Sequence, residues 1–282
     1  MKQRNHALIL VFSLTVLLMV VESHAIDAYD APAPPRGLYF VDYPLFFMAD
    51  KLKNSKGVTT SDSLGLKYYA NLFRLSYFNR TIFKNTWVAS ILIPVGHIEF
   101  LSDHDEGLGD ATVVFGYWII DRPGSKTWLS LAQFIDIPIG HFDKGKSANM
   151  GSNVWKIRPS MFFGKYFFDK IDLEIALKYN IFTENDDKKV KSGSELILES
   201  FFGYFIQPTV LFGVHLDTIF GEDNTVNGQR ILDSGVEGYR TGLSLDWVFD
   251  TRGINFKYLV DFGRKNSPEG HLFQMRFSWK FY

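Results

Sequence analysis

The last twelve residues, 271–282, constrain the fold more than any other stretch. Phe273, Met275, Phe277, Trp279 and Phe281 fall on one parity, and Gln274, Arg276, Ser278 and Lys280 on the other. In a β-strand successive side chains point to opposite faces, so this segment has one apolar face and one polar face. A sheet of such strands in water needs a second layer to cover the apolar faces. Several segments share the pattern, and nothing in the chain supplies that layer. Lipid is the simpler solvent, and a strand that spans lipid belongs to a closed barrel, because an open edge would leave backbone groups unpaired in hydrocarbon.

The same alternation recurs upstream. Ile254, Phe256, Tyr258, Val260 and Phe262 alternate with Asn255, Lys257, Leu259 and Asp261. Runs at 241–249, 210–220 and 171–181 behave alike, and each is about ten residues or more, enough for a tilted strand to cross the hydrocarbon. Further strands are predicted near 37–48, 62–78, 86–97, 109–120, 127–139 and 153–168. The count is about twelve, an even number that puts both termini on the periplasmic side. Tight connections near 169–170, 207–208 and 251–252 alternate with longer polar ones at 184–194, 221–234 and 264–270, as in outer-membrane barrels. The predicted fold is therefore all-β, a transmembrane antiparallel up-and-down β-barrel. Three places strain the scheme. Pro44 interrupts the first strand, and 79–85 is long for a short-side turn. Strand 153–168 needs either a bulge near Phe162 or a longer turn than Asp169-Lys170 to keep its parity.

Before the barrel, Lys2 and Arg4 precede an apolar run at 7–21, and Ser23-His24-Ala25 follows with small residues at a cleavage position. This is the pattern of a signal peptide over 1–25, cleaved near Ala25. Residues 26–36 hold Pro32, Pro34 and Pro35 and read as an extended, unpaired periplasmic leader. The barrel domain is then 37–282. Aromatic residues make up 16% of the chain, yet no later run reaches the ~18 apolar residues of a membrane helix. A net charge of −1 argues against a nucleic-acid partner. The absence of cysteine removes thiol catalysis and thiolate-bound metals.

Two segments echo each other: Ile93-Pro94-Val95-Gly96-His97 and Ile137-Pro138-Ile139-Gly140-His141. Pro cannot donate to a ladder and Gly bends, so each pair is read as releasing a strand at the rim. A metal site from His97, Glu99, His141 and Asp143 would lack a closing set of ligands. No cofactor is expected. The chain resembles the phenol-degradation meta-pathway family of outer-membrane transporters. The resemblance rests on Gly107-Leu108-Gly109-Asp110 opening a strand, and on Pro138-Ile139-Gly140 followed by Asp143. It also rests on Gly151, Asn153 and Trp155 within Asn149-Met150-Gly151-Ser152-Asn153-Val154-Trp155, leading to Pro159. It implies a barrel and passage of hydrophobic or aromatic compounds, and carries no catalytic residues.

Parity nominates the lining of the lumen: Glu195, Glu199, His215, Asp217, Asp246, Lys257, Asp261, Arg276 and Lys280. With a three-residue turn at Gln207-Pro208, Glu199 falls opposite His215, and Asp246 is placed opposite Lys257. Their mixed signs predict no strong ion selectivity. The expected role is passive transport of a small apolar or aromatic solute, with membrane lipid around the belt. The barrel-assembly machinery would read the C-terminal strand. An embedded lipid hydrolase would need a nucleophile beside a base, and no Ser alternates into the company of the lumenal His and Asp. An adhesive role would fall to the loops near 101–106, 142–152, 184–194 and 221–234, read as a solvated rim.

Overall fold

The computed structural model describes residues 26–282 except Phe83, Asp250 and Thr251. The signal peptide, its cleavage site and the turn at 250–251 lie outside the described residues. Twelve strands form one closed antiparallel barrel. They are β1 (Gly37–Lys53), β2 (Leu66–Ile82), β3 (Asn85–Phe100), β4 (Ala111–Arg122), β5 (Thr127–Ile137) and β6 (Lys156–Phe167). Then come β7 (Ile171–Phe182), β8 (Glu195–Gln207), β9 (Val210–Gly221), β10 (Glu237–Phe249), β11 (Arg252–Lys265) and β12 (Pro268–Lys280). Each strand pairs with the next, and β12 closes on β1 from Tyr39↔Lys280 to Leu52↔Pro268.

The alternation that constrains the sequence is the wall itself. On β12, Phe273 and Met275 are 46% and 41% exposed while Gln274 between them is 3% exposed. The outward rings stack across strands, Tyr69 on Phe46 with centroids 4.4 Å apart and Phe273 against Tyr258 at 4.5 Å. Cross-strand aromatic pairs of this kind stabilise a sheet by roughly 0.2–1 kcal/mol each. The inward face is divided. From β1 to β5 it carries mainly apolar side chains, among them Tyr43, Leu72, Leu92, Val114 and Trp118. From β6 to β12 it carries buried Lys156, Asp172, Glu174, Glu199, Asp217, Lys257 and Asp261.

The three strained places resolve locally. Pro44 stays within β1, because the ladder to β12 skips from Asp42↔Phe277 to Leu45↔Gln274 without a change of register. The long turn expected at 79–85 is not one: β2 and β3 run on past an irregularity between Asn79 and Ile82 to the pair Ile82↔Asn85. On β6 the longer turn prevails over the bulge. The pairs Ile157↔Ile181 and Phe167↔Ile171 share one register, and Phe168-Asp169-Lys170 make the connection. Phe168 and Asp169 take φ of 51° and 55°, the left-handed region that closes a three-residue turn.

Of the two Pro-Gly echoes, only the second ends a strand. β5 stops at Ile137, just before Pro138, whereas β3 continues through Pro94 and Gly96 to Phe100. Pro94 falls where β3 changes partner, from Leu92↔Thr112 on β4 to Val95↔Leu108 on the short strand Asp103–Leu108. Its missing N–H therefore costs no ladder bond. Gly96 is needed there, since a Cβ would come 2.1 Å from the Tyr69 carbonyl oxygen.

Candidate functional site

The lumen is narrowed from both ends. From the end where the chain enters, residues 26–35 fold into the barrel, with Ile26, Ala28 and Ala31 buried at 1% exposure or less. This corrects the extended, unpaired reading. Asp30 N donates to Asp27 O at 3.2 Å and Asp27 N to Asp30 Oδ2 at 2.9 Å, so the segment makes a turn before its prolines begin. The wall then holds it. Glu174 on β7 accepts the amides of Tyr29 at 2.7 Å and Ala31 at 2.6 Å. Trp118 Nε1 on β4 donates to Ala31 O at 2.8 Å. Lys257 Nζ meets Asp27 Oδ1 at 2.9 Å, and Arg276 reaches Ala28 O at 3.0 Å and Asp30 Oδ1 at 3.4 Å. Small side chains at Ala28 and Ala31 let the backbone approach these groups.

The nominated lumenal residues sit in this network and beside it. Arg276 also donates to Asp246 at 3.1 Å, which joins two of them directly. Glu199 does not face His215. It lies opposite Asp217 and pairs with Lys178 at 2.7 Å, while Phe201 lies opposite His215. The connection after Gln207 is two residues, with an irregularity between Phe205 and Gln207 that slips the register. Asp246 likewise lies opposite Asn255 and not Lys257, which faces Ser244. Glu195 accepts from Asn180 at 2.9 Å, and Asp261 gathers Arg240 at 2.8 Å together with Arg264. Asp217 is opposite Arg240 on β10. Lys280 sits over the Tyr39 ring at 5.9 Å. The same inward parity also carries Asp172, Glu174, Lys178 and Asn180 on β7, which the sequence reading leaves out.

A serine does join the lumenal histidine: Ser244 Oγ lies 2.9 Å from His215 Nε2. The expectation that no Ser keeps such company is therefore wrong. Both side chains are buried, and no carboxylate hydrogen-bonds to His215 Nδ1 among the described residues. The third member of a hydrolytic triad is missing.

At the opposite end the segment 138–155 folds across the mouth. Asp110 gathers it, accepting from Gly140 N at 2.9 Å, Ser152 N at 2.7 Å and Ser152 Oγ at 2.6 Å. Burial lifts the Asp110 carboxyl above the usual range, against the pull of those hydrogen bonds. Gly151 N donates to His141 O at 2.7 Å, and a Cβ on Gly151 would lie 2.5 Å from the Gly140 carbonyl carbon. Asp105 takes His141 Nδ1 and the Met150 amide, both at 2.8 Å. Asp143 N donates to Asn149 Oδ1 at 2.6 Å, and Asn153 Nδ2 to Asp187 at 2.8 Å. Of the motif residues, Gly109, Asp110, Gly140, Asp143, Gly151 and Asn153 are thus joints of a folded cap, whereas Gly107 lies in the short strand Asp103–Leu108 and Trp155 is 46% exposed.

The cap is not a solvated rim. Ala148 and Met150 pack into an apolar cluster with Leu66, Tyr68, Ile98, Leu259 and Leu272, contributed by strands β2, β3, β11 and β12. The loops at 184–194 and 221–234 also fold, through a small sheet of Val190–Lys191, Thr225–Val226 and Gln229–Arg230. Val154, Phe182, Val190 and Val226 bury together beneath it. Loop backbone polar groups are satisfied by neighbouring side chains, which is what lets such segments leave water.

Between the two closures lies an enclosed cavity of about 110 Å³, bounded by Asp27 and Asp30 of the leader, by Asp110, and by the apolar wall. A larger space of about 560 Å³ opens beyond the leader toward the chain termini.

The family described as "Putative MetA-pathway of phenol degradation" matches residues 49–277. The chain belongs to this family. No curated protein matches it. Among solved structures, this family member resembles the COG4313 outer membrane channel from Pseudomonas putida F1, with a TM-score of 0.84 and 18% identity. That match covers 91% of this chain and 100% of the other. The translocator domain of the autotransporter NalP from Neisseria meningitidis follows with a TM-score of 0.53 and 10% identity, covering 88% and 90%. The NanC porin has a TM-score of 0.52 and 11% identity, covering 86% and 100%. At such identities the likeness is one of fold, that of an outer-membrane barrel.

Proposed function

We propose that the protein is a passive outer-membrane channel for small, chiefly apolar or aromatic, compounds. The observation that carries this reading is the pair of lumenal spaces between a folded cap and an inserted leader, with aromatic side chains along the β1–β5 wall. A side-chain-filled barrel of eight strands leaves no such hollow, whereas twelve strands enclose a wider one. The naming of the Pseudomonas putida structure as a channel supports the reading. A signal peptide over 1–25 with cleavage near Ala25 delivers the chain, residues 26–36 enter the barrel from the periplasmic mouth, and 37–282 form the wall. Lipid surrounds the apolar belt, and the assembly machinery engages β12. The nine lumenal residues line the path and, with opposite signs neighbouring one another, give weak charge selectivity.

Proteoliposomes containing the protein should take up benzyl alcohol or toluene faster than empty vesicles. Equal rates in both would remove the transport reading.

A further inference from the structure

The two lumenal spaces share a partition. Asp30, Tyr43, Arg74 and Trp118 border both the enclosed cavity and the open one. A solute moving from one space to the other passes these four side chains.

Their charges are not equally engaged. Asp30 is held by Arg276 at 3.4 Å and by the Asp27 amide. Deeper in the barrel the inward cations have carboxylates: Lys156 has Asp136, Lys178 has Glu199, Arg240 and Arg264 have Asp261, and Lys257 has Asp27, while Lys280 near the strand end sits over the Tyr39 ring. Arg74 differs. It gives Nε to Ser76 Oγ at 2.9 Å, and among the described residues no carboxylate lies within ion-pair distance of it. A guanidinium carries five donors in a planar fork that matches a carboxylate two bonds at a time. Arg74 is therefore a lumenal cation with donors to spare, set beside two aromatic side chains at the boundary between two spaces.

We propose that this partition is a recognition step for single-ring aromatic carboxylates, with the carboxylate on Arg74 and the ring against Tyr43 and Trp118. The inference deepens the channel reading and rests on it for the traffic, though not for the binding. Size limits the occupant to one ring: the enclosed space of about 110 Å³ is smaller than the cavity of about 150 Å³ known to take benzene, so the ligand sits at the partition and reaches into the open space of about 560 Å³. The cation requirement separates this class from neutral aromatics, and the ring requirement separates it from small aliphatic acids.

The test uses the purified full-length protein and benzoate, with benzyl alcohol and acetate as the neutral and ringless probes. In planar bilayers benzoate should interrupt the ion current at lower concentration than either control. Arg74→Gln should raise the half-blocking concentration of benzoate about tenfold or more, the loss expected when charge-assisted hydrogen bonds go. Arg74→Lys, which keeps a charge without the fork, should fall between. An unchanged benzoate affinity in Arg74→Gln, or acetate blocking as well as benzoate, overturns the proposal. Calorimetric titration of benzoate into detergent-solubilised protein separates the two readings. Binding lost in Arg74→Gln with no solute flux in vesicles keeps this site and removes transport. Rapid flux of toluene with no benzoate binding keeps the channel and removes this site.

Discussion

The two closures of the lumen are built differently. The cap at 138–155 is tied to the barrel at both ends, by β5 and β6, and held by backbone crossings: Asp110 clamps Gly140 and Ser152, and Gly140 and Gly151 touch. Its interior is apolar, Ala148 and Met150 against the β1–β3 and β11–β12 wall. Among the described residues the leader joins the strands of the wall only at Gly37, and its grip combines charge, through Lys257, Arg276 and Glu174, with an apolar contact of Ile26 and Ala28 on Ala176, Phe201 and Leu211. A two-ended segment packed on apolar residues has nowhere to go without unfolding. A one-ended segment held in part by charge can leave when its counter-charges are met by something else. With cleavage near Ala25 as proposed, the difference predicts that the leader moves more readily than the cap.

The sharpest way to break this comparison is to remove the leader. Deleting residues 26–35 should raise single-channel conductance at least about threefold, because the segment occupies the section of a twelve-strand lumen. The variant Asp27→Ala should act in the same direction with smaller amplitude. It removes the carboxylate that the fully buried Lys257 ammonium meets at 2.9 Å, and breaking one half of a buried pair costs about 3–5 kcal/mol. Conductance unchanged by the deletion would mean the leader is not what narrows the path.

The cap should respond in stability before it responds in flux. Gly151→Val places side-chain carbon where the Gly140 backbone already lies. Overpacking of this sort costs about 1–3 kcal/mol, and protease added outside intact cells should then cut within 141–152. If Gly151→Val opened the conductance as far as the leader deletion does, the roles of the two closures would be reversed.

The sequence was legible where lipid writes the rule. Every second residue of Phe273–Phe281 must be apolar, so parity placed all twelve strands and pointed the nine lumenal residues inward. It could not set register. A two-residue slip near the Gln207 turn moves the partner of Glu199 from His215 to Asp217 while keeping every side chain on its face, so no side-chain pattern records it. The leader escaped for another reason. Pro32, Pro34 and Pro35 look like a linker whether or not the residues before them find a wall to bind. The cap escaped because its polar residues read as solvent-facing, although Asp105, Asp110 and Asn149 spend their oxygens on the loop's own amides.

The smallest expected effect concerns the loops beside the cap, which share its backbone-and-side-chain construction without its glycine crossing. Asp223 accepts from Arg230 Nε at 2.9 Å, Ser234 N at 3.0 Å and Gly235 N at 3.3 Å. Burial works to raise this carboxyl, and the hydrogen bonds from Ser234, Arg230 and Gly235 outweigh it and hold the group below the usual range. A carboxylate depressed in the folded state contributes fully above its unfolded pKa, about 3.9. That contribution fades as pH falls through this value toward the folded one. Amide exchange over 223–235, corrected for intrinsic rates, should therefore show protection at neutral pH that weakens near about pH 3. Asp223→Asn should show the weaker protection at both. Conductance should stay the same in that variant, since the hydrogen bonds of Asp223 among the described residues stay within its own loop. A change in current on Asp223→Asn would mean the rim is coupled to the lumen, and the division between a fixed outer face and a movable inner segment would have to be redrawn.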